Sequence, residues 1–113
     1  MGAICYLEPL RYHNQQYGLT KSSDIYSLGV IFWQISSGRK PFQQDPREMD
    51  LYKKIAEGQR ESSIEGTQKW YIQLYETCWH GDPQNRHTIA EVVRRFEIND
   101  NDILTNGIIS FSN

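Results

Sequence analysis

Residues 24–38 read Asp-Ile-Tyr-Ser-Leu-Gly-Val-Ile-Phe-Trp-Gln-Ile-Ser-Ser-Gly, and no other stretch constrains the fold as much. Asp24 has a short carboxylate that can accept from the exposed backbone N–H groups of a first helical turn, so it reads as an N-cap. Apolar side chains then fall on nearly every side of the helix. Gly38 supplies a left-handed stop, Arg39 and Lys40 suit the negative end of the dipole, and Pro41 prevents resumption. A surface helix keeps one polar face, whereas a helix apolar all round has to be buried on all sides. The chain has 113 residues with which to do this, enough for one domain with a single modest core.

Three more helices follow from capping and period. Asp45 can cap, Pro46 suits a first helical position, and Glu48 stands where a capping-box carboxylate belongs. Met49, Tyr52, Ile55 and Ala56 then recur at helical spacing and Gly58 closes the element, predicting a helix over 46–57. Over 67–79, Trp70, Leu74 and Cys78 lie four apart with Tyr71 and Tyr75 beside them. Asp82-Pro83 marks a turn. Thr88 and Glu91 form a capping box opening a helix over 88–97, with Ile89, Val92, Val93 and Phe96 as its apolar stripe. Residues 1–23 read as loop, with one short helical turn near Pro9-Leu10-Arg11-Tyr12. Residues 59–66 read as a polar loop. Strand signals are absent and no 20- to 50-residue repeat recurs. The expected fold is all-α, with a domain over 1–97 and a polar tail over 98–113 expected to lack fixed structure.

Composition excludes more than it assigns. With 12 basic and 14 acidic residues and no run of either sign, nothing supports a nucleic-acid or anionic-lipid partner. No apolar run is long enough for a membrane span and no signal-peptide pattern opens the chain, so an intracellular, cytoplasmic location is expected. Cys5 and Cys78 lack metal-ligand spacing and read as small core hydrophobes. His13, His80 and His87 form no metal pattern and read as surface or turn residues. Tyr26, Ser27 and Ser36 lie on or beside the buried helix and read as structural.

Four motifs in order are similar to the C-terminal lobe of a eukaryotic protein kinase. Gly2-Ala3-Ile4-Cys5-Tyr6-Leu7-Glu8-Pro9-Leu10 resembles the family's G-T-x-x-Y-x-A-P-E segment. Residues 24–38 resemble its D-x-W/Y-S-x-G helix, and Pro41-Phe42 the P-F that follows. Cys78-Trp79-His80-Gly81-Asp82-Pro83-Gln84-Asn85-Arg86-His87-Thr88 resembles C-W-x-x-D-P-x-x-R-P-T, the version typical of tyrosine kinases and the tyrosine-kinase-like group. The resemblance implies a partial lobe, truncated before the central helix, and roles for particular residues. Asp24 would cap that helix and support a catalytic loop. Arg86 would pin the preceding segment through a charge-assisted pair with the last glutamate of A-P-E. That position is Leu10 here, which leaves Arg86 either to reach Glu8 or to be solvated. Ala3, Tyr6 and Pro9 would belong to the substrate platform. Ala3 lacks the hydroxyl that serine/threonine members use there, and His87 replaces the proline after the arginine.

The same resemblance implies ATP-dependent phosphorylation of protein Ser, Thr or Tyr hydroxyls by a full-length parent, with ATP and Mg²⁺ as its cofactors. Phosphoryl transfer needs a glycine-rich loop, a lysine on the phosphates, a catalytic aspartate and a magnesium-holding Asp-Phe-Gly. None of these motifs occurs within the 113 residues. The chain alone is therefore expected to hold no cofactor or metal, to have no catalytic residue of its own, and to be inactive. Its expected partners are protein substrates or regulators. A second reading is a catalytically silent interaction module, docking through Met49, Tyr52 and Ile55 on helix 46–57. A third is that the chain does nothing alone and is marginally stable, exposing Ile31, Phe32 and Trp33 where neighbours are missing.

Overall fold

A computed structural model describes residues 5–42 and 48–99, the side chains of Glu48 and Met49 excepted. Five α-helices follow one another: α1 (Leu10–His13), α2 (Lys21–Ser37), α3 (Glu48–Ala56), α4 (Lys69–Cys78) and α5 (Ile89–Ile98), with a 3₁₀ turn at Pro83–Asn85 before the last. No described residue lies in a strand. The all-α fold expected from the sequence is the fold observed. The Asp45-Pro46 start signal and all but the first two residues of the 98–113 tail lie outside the described residues.

The central helix α2 starts earlier than Asp24. Thr20 is its N-cap: the Thr20 side chain accepts from Ser23 N at 3.3 Å, and Ser23 Oγ accepts from Thr20 N at 3.1 Å. This reciprocal pair satisfies two end groups at once, so it outcompetes a lone carboxylate one turn further on. Asp24 is instead an exposed residue of the first turn, where its charge still favours the positive end of the dipole. The other end is as read from sequence, with Gly38 left-handed at φ 72°.

Helix α2 packs chiefly on α4, and Gly29 sets how closely. A Cβ placed there would lie 2.8 Å from Cys78 Cβ, 3.1 Å from Tyr75 O and 3.2 Å from Trp79 N. Around this contact Ile25, Tyr26, Val30 and Trp33 of α2 meet Tyr71, Leu74, Tyr75 and Cys78 of α4 in one buried cluster. Tyr71 OH donates to Phe32 O at 2.7 Å and fastens the two helices at a second point. Trp70 is only partly buried, stacking edgewise on Phe96 of α5 at 5.4 Å.

Three expectations about burial need correction. Helix α2 is not enclosed on all sides: Ile31 and Ile35 are 42% and 40% exposed. Trp33, expected in an open apolar patch, is fully buried, and its Nε1 donates to Ser62 O at 2.8 Å. The loop after α3 folds over it, which no periodicity in that loop announces. On α5 only half the predicted stripe turns inward. Val92 is buried and Phe96 packs on Phe32 at 5.4 Å, whereas Ile89 and Val93 stand 58% and 49% exposed. Thr88 caps α5 by accepting from Glu91 N at 3.1 Å. The Glu91 carboxylate pairs with Arg95 at 2.7 Å and so does not close the box.

Candidate functional site

Glu8 lies just before Pro9, which starts the single turn of α1. Its residue is 1% exposed, and such a carboxylate is tolerated only with full compensation. Arg86, in the turn that links α4 to α5, supplies it. Nη1 to Oε1 is 2.6 Å and Nη2 to Oε2 is 2.7 Å, a two-pronged pair with both side chains at 0% exposure.

The remaining valences are also filled. Arg86 Nε donates to His80 O at 2.7 Å, Nη1 to Ser22 O at 3.1 Å and Nη2 to Gly81 O at 3.4 Å. All five guanidinium donors are thus engaged. On the other side, Ser23 Oγ donates to Glu8 Oε1 at 2.9 Å and Leu10 N to Oε2 at 3.4 Å. Burial by itself would raise the Glu8 pKa. The hydrogen bonds from Arg86 and Ser23, with the Arg86 charge, outweigh it and hold the carboxyl below its ordinary range.

The aromatic ring of Tyr26 lies beneath two cations. The Arg86 guanidinium is 5.2 Å from its centroid and the Arg60 guanidinium 5.3 Å. Arg60 bonds the helix ends: its Nε donates to Trp79 O at 3.0 Å and its Nη1 to Ile55 O at 2.8 Å. One side chain therefore serves the carbonyl-rich ends of both α3 and α4. Burial pushes the Tyr26 pKa up to about 12, ahead of the opposing pull of the two arginines.

The segment ahead of Glu8 is held by α2. Ser27 Oγ donates to Tyr6 O at 2.6 Å, and Tyr6 OH donates to Gln34 Oε1. Pro9 is buried and Tyr6 half-buried. Ala3 lies outside the described residues. Asp24, exposed on α2, contributes nothing to this cluster.

The third group of sequence candidates is not a surface. Tyr52 and Ile55 are 7% and 0% exposed and belong to the inner face of α3 with Leu51. Tyr52 OH donates to Glu8 O at 2.8 Å, and its ring meets Tyr12 edgewise at 5.4 Å. The helical spacing of these apolar residues marked the side that packs, so Tyr52 and Ile55 do not lie on an exposed surface. The Met49 side chain lies outside the described residues. Ser23, Tyr26, Arg60 and the Tyr52 hydroxyl were missed as members of the cluster. Only the Thr20-x-x-Ser23 spacing could have pointed to one of them. Among the described residues no group of His, Cys, Asp or Glu is placed to hold a metal ion. No described helix is long and apolar enough to cross a membrane.

The fold and this cluster define a helical lobe whose leading segment is clamped to the turn between α4 and α5 by a buried arginine–glutamate pair. The family model described as protein tyrosine and serine/threonine kinase matches residues 4–96, and the chain belongs to that family as a fragment of its kinase domain. The chain is 34% identical over 94 residues to the mast/stem cell growth factor receptor Kit of Takifugu rubripes, and 31% identical over 94 residues to the kita receptor of Danio rerio. It is 28% identical over 102 residues to receptor-interacting serine/threonine-protein kinase 4 of Mus musculus. These matches take in 82%, 82% and 85% of the chain but 10%, 10% and 13% of the relatives' lengths.

Proposed function

We propose that these residues form the helical base and part of the substrate platform of a kinase that transfers the ATP γ-phosphate to protein Ser, Thr or Tyr hydroxyls. In this reading Ala3, Tyr6 and Pro9 belong to the platform, and Arg86 with Glu8 holds it on the lobe. Asp24 faces outward because the catalytic loop it supports comes from another part of the domain. The observation that supports the reading is the buried two-pronged pair of Arg86 and Glu8, a charge-assisted contact two residues ahead of the position the resemblance implies. Glu8 supplies the carboxylate that Leu10 cannot.

Phosphoryl transfer depends on positioning and on charge placed around the phosphates, and this chain contributes to the first alone. By itself it should neither bind ATP nor transfer phosphate. The test is to read the genomic frame upstream of Met1 and assay the extended product for phosphate transfer from labelled ATP to mixed protein substrates. An extended frame carrying H-R-D and D-F-G motifs and showing transfer supports the reading. A frame without them sinks it.

A further inference from the structure

Helix α3 is fastened to Glu8 by two separate routes. The first is direct, through the Tyr52 hydroxyl on the Glu8 carbonyl at 2.8 Å. The second starts at the Ile55 carbonyl, held by Arg60 at 2.8 Å. Arg60 shares the Tyr26 ring with Arg86, and Arg86 holds the Glu8 carboxylate at 2.6 and 2.7 Å. The two routes close a ring through the backbone oxygen and the carboxylate of one residue. Each member on that ring is buried or half-buried, so water cannot readily replace one contact while the others persist.

A rigid helix tied at two points cannot shift without moving what it is tied to. We infer that Glu8 is a positioning residue that couples α3 to the segment of Tyr6 and Pro9, so that the two move as one body. A push on the exposed side of α3, which carries Lys53 and Lys54, would displace the platform with it. The coupling is a property of this chain, whereas its meaning for substrate binding rests on the kinase reading above.

Amide hydrogen exchange on the full chain tests the coupling from both sides. Tyr52→Phe removes the hydroxyl and keeps the ring against Tyr12. It should speed exchange at Tyr6, Leu7 and Glu8 by about tenfold, the loss expected for one hydrogen bond of ordinary net strength. Ser27→Ala frees Tyr6 O at the other end of the segment, and linkage is reciprocal, so exchange should rise at Leu51, Tyr52 and Ile55. Leu74 and Tyr75 in α4 should keep their rates in both variants. Effects confined to the mutated side would overturn the inference. An equal rise at Leu74 and Tyr75 would also overturn it, since the contacts would then stabilise the whole fold without linking two parts. Neither outcome depends on whether the extended frame transfers phosphate.

Discussion

Gly29 of α2 and Cys78 of α4 meet with no room for a methyl group between them. A Cβ on Gly29 would stand 2.8 Å from that of Cys78, and two further neighbours within 3.2 Å are backbone atoms of Tyr75 and Trp79. Trimming Cys78 would therefore not relieve the clash. Gly29→Ala should lower the stability of the chain by about 1–3 kcal/mol, the usual cost of overpacking a well-fitted core. Urea unfolding of the two proteins checks this. An unchanged midpoint would mean that α2 and α4 pack further apart.

Glu8→Gln keeps the shape of the side chain and removes its charge. Arg86 is left as a buried cation facing a neutral amide, which should cost about 3–5 kcal/mol. The pH dependence carries a sign. Burial pushes the Glu8 pKa up, and the contacts with Arg86 and Ser23 bring it net below the ordinary 4.5. A carboxyl depressed in the folded state contributes stability that is complete above its unfolded value and is lost as pH falls through the folded one. The gap in unfolding free energy between wild type and Glu8→Gln should thus be widest at neutral pH and shrink in acid below 4.5. Glu91, held low by its hydrogen bond from Arg95, titrates in both proteins and cancels in the comparison.

Thr20 and Asp24 compete for one role, and substitution separates them. Thr20→Ala removes the observed cap and should cost about 1 kcal/mol. Asp24→Ala removes only a first-turn charge and should cost about 0.5 kcal/mol or less. Thermal unfolding followed by circular dichroism would rank the two. A larger loss at Asp24 would contradict the cap at Thr20.

Burial pushes the Cys78 thiol up to about 12, and Cys5 is 1% exposed. The thiolate is the reactive form, so a disulfide reagent at pH 8 should label neither cysteine in the folded chain. In urea both should react. Fast labelling of Cys78 without denaturant would show that α2 and α4 separate readily at this contact.

Much of the fold was legible because its signals are local. The Gly38 stop, the Thr88 cap, the turn at Asp82-Pro83 and the core face of α4 all depend on residues within one or two helical turns. The same locality misled at Asp24, where a plausible cap hid a better one four residues earlier. It misled again on α3, where the apolar residues taken for a surface turned out to be the packed face. Ile89 and Val93 show the converse, since a regular stripe buries only as much as its neighbours can cover.

The sequence by itself determined the helices, their order and the family, because period, caps and short motifs are written in adjacent residues. The partner of Arg86 was decided by the tertiary structure alone. Glu8 lies 78 positions away in the chain, and the sequence left open whether Arg86 reaches it or stays in water. Only the packing of α2 brings Ser22, Ser23 and Tyr26 around both groups, and removing water makes the charge-assisted pair the one arrangement that satisfies them.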